Sequence, residues 1–221
     1  MSKFSVIYRP TTLFSLRDSN ATSSGAKSLL LPSPYSIKMA IISKAISFDG
    51  VDFNCDRELF GFIRDAKISY HIQGDYCVNK CCVKIQKKRG NDPFIPSIAF
   101  REYVFMNGDI EVIFEVDSEN AKEFLMRYLH TINYFGKRGC FFQFIEYKHD
   151  PSKPNVCEFN VNNCLTSGIL QEYDDFNDSF SFDSVNIYSS VKTIVRNRQI
   201  LVLPVTNTGA SKSYSCYEVV E

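Results

Sequence analysis

An α+β fold is what this sequence of 221 residues predicts, and three observations predict it. The segment "LPSPYSIKMAIISKAIS" is apolar around most of a helical circumference and opens with an N-cap serine followed by proline. The segment after Asp117 places Ala121, Phe124, Leu125, Tyr128, Leu129 and Ile132 at helical spacing without a gap. Around these two helices lie short alternating runs of strand type, two of them separated by Asn107-Gly108, a hairpin-turn signal.

Each element follows in chain order. Residues 4–8 read as a short strand, and the Ser/Asn-rich stretch "RDSNATSSGAKS" as a mobile loop. The first helix spans about 34–47, starting from Ser33 and Pro34 and leaving a narrow polar stripe of Ser36, Ser43 and Ser47. A second helix fits 54–66. Residues 67–73 and 82–88 alternate as strands, the latter with Lys84, Gln86 and Lys88 on one face and Val83 and Ile85 on the other. The run Lys87-Lys88-Arg89 then enters the turn "GNDP". Strands at 98–106 and 110–116 are expected to pair through Asn107-Gly108. Asp117 or Ser118 caps a helix running to 135, with Gly136 as the residue just past its end. A strand at 141–148 follows.

With 52–96 set aside, the order is strand, helix, strand, strand, helix, strand, the ferredoxin-like plan. Residues 52–96 then form an insertion whose basic hairpin projects from a domain of residues 1–150. Residues 151–221 form a smaller β-rich region containing the acidic "QEYDDFNDSFSFDS" and a hairpin-like pair around "QILVLPV" and "SYSCYEVV".

The bulk numbers narrow the function. A net charge of +0 excludes a uniformly basic surface, so any nucleic-acid site is local. No run approaches a membrane span, and "MSKFSVIYRPTTLF" lacks the pattern of a secretory signal, so a cytoplasmic protein with reduced thiols is expected. Eight cysteines contain no CxxC pair, and the spacing of Cys77, Cys81 and Cys82 matches no common zinc site, so no metal or other cofactor is expected. The signatures GxxxxGK[ST], HExxH, GxSxG and GxGxxG are missing.

The stretch "YFGKRGC", residues 134–140, has two readings. Lys137 and Arg138 complement the carbonyls at the end of a helix, which attract cations. Alternatively, Gly136 and Gly139 permit a concave array of N–H groups that holds an anion, with the two cations adding charge and nearby aromatics stacking on bases.

The proline-entered helix, the basic insertion, the strand "FREYVF", the amphipathic helix and "INYFGKRG" occur in one order, over about residues 1–145. In these features the chain resembles the CRISPR-associated Cas family five subunit of the type I interference complex Cascade, a branch of the RAMP superfamily of ferredoxin-like, RRM-like RNA-binding proteins. The resemblance implies antiviral defence within a ribonucleoprotein. It implies binding of the 5′ handle of CRISPR RNA, docking on the large subunit, a thumb touching the repeating backbone subunit, and indirect contact with target DNA, with no membrane partner. Carried onto this chain, the thumb holds Lys80, Lys84, Lys87, Lys88 and Arg89. The RNA-binding residues are Gly136, Lys137, Arg138 and Gly139, Arg101 and Tyr103 on the sheet, and Lys38 and Lys44 on the first helix. Plain structural roles stand beside these: Lys38 and Lys44 as surface charges, Arg101 paired with a carboxylate such as Glu111, and Tyr103 as a core aromatic.

Two rival functions remain. One branch of the family cuts precursor RNA without metal, which takes a base, a cation and an acid. Tyr147, Lys148 and His149 are the only such neighbours in sequence, but adjacent strand residues point to opposite faces and converge poorly, so no catalytic residue is assigned. The other rival is a protein-interaction subunit whose RNA contacts are incidental.

Overall fold

The structure, a computed structural model, describes residues 1–22, 25–88, 90, 94–161, 167–190 and 195–220. It is a mixed α/β fold in which three helices accompany mostly antiparallel sheets. The main sheet has the order β11-β12-β5-β6-β1-β7, built from Val205–Ala210, Tyr214–Val219, Lys67–Lys87, Ile95–Val116, Ser2–Pro10 and Phe142–Lys148. Every pairing along this path is antiparallel, and β3, Gly25–Ala26, adds a short parallel bridge to β6.

Residues opposite each other in such pairs share a face. Phe4, Val6 and Tyr8 on β1 lie opposite Phe114, Val112 and Ile110 on β6, which lie opposite Ile68, Tyr70 and Ile72 on β5. This apolar face carries helix α3, Glu119–Leu129, beside α1, Pro34–Asp49. Alpha-1 begins as its sequence dictates: Ser33 Oγ accepts from the Ser36 N–H at 3.2 Å and Pro34 occupies the first turn. It ends at Gly50, whose φ of 63° closes the helix in the left-handed region. A short α2, Arg57–Asp65, buries Phe60 and Ile63 against the same core.

The expected turn at Asn107-Gly108 is not there. Residues 98–106 and 110–116 belong to one strand, β6, which pairs without a register break with β5 from Lys67↔Glu115 to Lys87↔Ile95. The strands predicted at 67–73 and 82–88 are likewise parts of the single strand β5. The glycine at 108 serves a crossing of two backbones and not a turn. Gly74 and Gly108 face each other, both at φ 154°, and a Cβ on either would overlap the carbonyl oxygen of Gln73 or Asn107. The chain instead reverses beyond Lys87, and most of the turn "GNDP" lies outside the described residues. The span 52–96 therefore divides: α2 packs on the core, 67–73 forms a central part of the sheet, and only the distal part of β5 extends outward with β6.

Alpha-3 also stops early, at Leu129 instead of 135. Three hydroxyls take carbonyls of its last turn: Tyr147 OH donates to Met126 O at 2.5 Å, Thr131 Oγ1 to Tyr128 O at 2.6 Å and Tyr8 OH to Leu129 O at 2.7 Å. Ile132 remains buried as its periodicity requires, but in the following turn.

The C-terminal region is β-rich, with a changed pairing. β10, Asn197–Leu203, joins β9, Ile169–Asp175, and β8, Cys157–Glu158, in a separate sheet. Pro204 interrupts the run, so the last strand, β12, pairs on one side with β11, which "QILVLPV" enters only at Val205, and on the other side with β5. The acidic charges of β9 are matched: Arg196 reaches Asp174 at 2.7 Å, Arg198 reaches Glu172 at 3.4 Å and Lys38 reaches Asp175 at 2.8 Å. The polar stretch read as a mobile loop forms β2, Leu16–Arg17, paired with β4, Ser28–Leu29, and β3, with 23–24 outside the described residues.

Gly108→Ala should lower unfolding stability by about 2 kcal/mol or more, the scale of a forced backbone displacement in a packed sheet. Urea unfolding measures it. A loss under about 0.5 kcal/mol would mean that the two glycines do not mark an obligatory close approach.

Candidate functional site

The glycine loop is a stapled projection and not a helix end. Tyr134 and Phe141 form an antiparallel bridge, Phe135 N donates to Cys140 O at 3.3 Å, Cys140 N donates to Lys137 O at 3.1 Å and Phe142 N donates to Asn133 O at 3.0 Å. Buried Phe135 and Cys140 anchor the base, and residues 136–139 are exposed. Gly136 at φ 63° and Gly139 at φ 101° both occupy the left-handed region that other residues avoid. Because α3 ends at Leu129, the reading in which Lys137 and Arg138 complement helix carbonyls falls. Among the described residues neither cation forms an ion pair, so both remain available to an external anion.

The segment after β1 holds this loop, and no sequence signal revealed it. Thr12 Oγ1 donates to Gly139 O at 3.3 Å, and the Cys140 thiol lies 3.5 Å from Ser15 O. Two residues away from Thr12, Phe14 exchanges backbone hydrogen bonds with Val104 of β6 at 3.0 and 2.7 Å. One short segment thus ties the glycine loop to the part of β6 that carries Arg101 and Tyr103.

The distal β5–β6 hairpin carries the expected cations. Lys84 and Lys87 lie on β5, and Lys88 follows it; Arg89 lies outside the described residues. Lys80 is partly committed, donating to Ser215 Oγ at 3.0 Å across to β12. Arg101 and Tyr103 share the face turned away from the helices, both half-buried. Arg101 does not reach Glu111, which lies far along the same strand; its Nη1 donates to Phe100 O at 2.8 Å. Lys44 sits over the Phe48 ring at 5.3 Å.

Lys38 cannot meet RNA as expected. It is 2% exposed, donates to Arg64 O at 2.8 Å and pairs with Asp175 at 2.8 Å. Burial pushes its pKa down, and Asp175 opposes that shift. Its position among Ile37, Ile41 and Ile42 faces the core, where it links α1, α2 and β9.

Tyr147, Lys148 and His149 diverge. Tyr147 faces the helices, bound to Met126 O and accepting from His130 N at 3.0 Å; burial pushes its pKa up to about 12 against that hydrogen bond. Lys148 faces the other way, 3.1 Å from Glu111, and His149 is exposed past the strand end. Cys77 and Cys81 share one face of β5 and Cys82 takes the other, so the three thiols do not converge on one ion.

Comparison with known proteins agrees with the resemblance read from the motifs. The chain is 26% identical over 189 residues to the CRISPR-associated protein Cas5 of Archaeoglobus fulgidus, covering 80% of this chain and 81% of that protein. The fold is similar to that in the crystal structure of a CRISPR protein from Archaeoglobus fulgidus, with a TM-score of 0.50 at 12% identity over 100% of this chain and 93% of the other. No family model matches. Among the described residues no helix is long and apolar enough to cross a membrane.

The partner of Lys148 supplies a pH test. Burial alone would raise the pKa of Glu111, but hydrogen bonds from Ser5 Oγ at 2.6 Å, Ser152 N at 2.9 Å and Lys148 at 3.1 Å outweigh it and hold the carboxyl at about 2. A folded pKa below the unfolded one gives stability that is present above about 4.5 and lost as pH falls toward about 2. Glu111→Gln should therefore be less stable than the parent near neutral pH by about 3 kcal/mol, with the gap closing between those two values. Parallel stability curves through that window would show that Glu111 is not held by these partners.

Proposed function

As a relative of the CRISPR-associated protein Cas5, this chain is, we propose, a non-catalytic RNA-binding subunit of a type I CRISPR interference complex, built on the ferredoxin-like plan. The strand order β5-β6-β1-β7, with α1 between β1 and β5 and α3 between β6 and β7, supports that plan. The observation that carries the function is the exposed loop 136–139: two glycines at positive φ flank two cations without ion-pair partners among the described residues, on a buried, hydrogen-bonded base. With a net charge of +0, such local cations must supply the attraction for RNA.

In this reading the loop holds phosphates of the 5′ handle of the CRISPR RNA. The β5–β6 hairpin acts as the thumb, and Lys84, Lys87 and Lys88 present its charge to the repeating backbone subunit or to RNA beside it. The chain caps the assembly against the large subunit and meets target DNA only through it. The divergence of Tyr147, Lys148 and His149 supports a role without cleavage.

Two measurements test this. Replacing Lys137 and Arg138 together by Ala should weaken binding of repeat-derived RNA and flatten its salt slope by somewhat more than one, at about 0.7 per lost phosphate contact. The melting temperature should barely move, since exposed substitutions stay within about 0.5 kcal/mol. Normal RNA binding with early melting would make the loop a structural cap. The purified chain should also leave repeat RNA intact in EDTA; specific cutting abolished by His149→Ala would make it an endoribonuclease.

A further inference from the structure

We propose that the face of the β6–β5–β12 sheet turned away from the helices is a stacking platform for unpaired RNA bases, with Phe105 and Tyr214 as its main rings and Tyr103 beside them. The proposal rests on the RNA-binding reading above and adds a site of different chemistry. Register brings the residues together. Asn79 of β5 lies between Tyr103 of β6 and Tyr214 of β12, and Cys77 lies between Phe105 and Cys216. Opposite residues share a face, so all six side chains emerge on one side. At roughly 4.8 Å per strand, Tyr103 and Tyr214 stand roughly 10 Å apart, with Phe105 one row along, roughly 7 Å away.

The platform is open. Phe105 is 51% exposed and Tyr214 42%, whereas the other face of the same strands buries Tyr76, Val78, Val104 and Met106. Between the rings lie short side chains, Cys77, Asn79 and Cys216, with the two sulfurs 3.8 Å apart. Short side chains between exposed rings leave room beside the rings for a flat ligand.

The chemistry of the patch fits bases. The six positions hold three rings, two thiols and one amide, which set stacking surfaces beside a group that can hydrogen-bond a base edge. The Asn79 amide, half-buried between two tyrosines, can donate to and accept from base edges. Cations stand at one end: Arg101, opposite Cys81, and Lys212 in the turn from β11 to β12, which Lys80 N fixes by donating to Ser213 O at 2.7 Å. The segment that holds the glycine loop pairs with Val104, between Tyr103 and Phe105 in the chain. The proposed phosphate anchor and the proposed base platform are thus joined through a single short segment.

Stacking and phosphate contacts leave different signatures. Stacking contributes roughly tenfold or more in affinity per ring and is indifferent to salt, whereas phosphate contacts set the salt slope. The full chain is titrated with a labelled unstructured oligoadenylate over a salt series. Phe105→Leu with Tyr214→Leu should cut affinity by at least tenfold at an unchanged slope, while Phe105→Tyr with Tyr214→Phe should stay within about threefold of the parent. Equal binding by all three proteins would overturn the platform, as would an equal loss in both double variants or a loss carried by the slope. Normal oligoadenylate binding by the leucine variant together with failed assembly would assign the face to a protein and also overturn it. If the leucine variant binds normally while Lys137→Ala with Arg138→Ala flattens the slope, the platform falls and the RNA-binding role stands. No binding by the parent chain would remove both.

Discussion

The rest of the molecule depends on the unbroken antiparallel ladder between β5 and β6. Its inner half supplies two adjacent strands of the core sheet, with Tyr70, Ile72, Ile110 and Val112 under the helices. Its outer half is the arm that carries Lys84, Lys87 and the exposed rings. Gly74 and Gly108 sit where inner becomes outer, and their missing side chains let the strands approach there. Because one ladder serves both halves, the arm is an extension of the core.

The two sheet faces are closed by different means. On the helical face, hydroxyls of Tyr8 and Tyr147 fasten α3 to β1 and β7, and Lys38 draws α1, α2 and β9 together through one buried ammonium. A buried ion pair of this kind adds little net stability but is costly to break, so it fixes which elements meet. On the opposite face the chain after β7 crosses the sheet, and Glu111 collects Ser5, Lys148 and the Ser152 N–H. Asn155 adds a reciprocal pair of hydrogen bonds to Ile72, at 2.9 and 2.8 Å. Among the described residues that cover reaches the inner part of the sheet, while Phe105 and Tyr214 on the outer part stay exposed.

The sequence made the local elements legible and left their long-range pairing obscure. Ser33-Pro34 placed the start of α1, and the periodicity from Ala121 to Leu129 placed α3, because capping and amphipathicity are local. Asn107-Gly108 misled for the same reason: the dipeptide carries a turn signal, but the partner of residues 110–116 lay at 67–73, beyond any local window. Ile132 extended the helical pattern past the true end of α3, since no periodicity records that Tyr8 and Tyr147 take the last carbonyls. At the candidate site, the glycines and cations of the loop were visible as a motif, whereas its support by Thr12, Phe14 and Ser15 required the fold. Lys38 was misread because a lysine in a helix signals exposure until its partner, here 137 residues later in the chain at Asp175, is known. Phe105 and Tyr214 became neighbours only through β5.

In the proposed role, RNA lies along the loop end and outer sheet of this molecule. Ultraviolet crosslinking of bound repeat RNA, with the attached peptides identified by mass spectrometry, tests it most directly. Crosslinks are expected in residues 134–141 and on the outer hairpin and β12, around Tyr103, Phe105 and Tyr214. Crosslinks confined to the exposed surfaces of α1, α2 and α3 would contradict it.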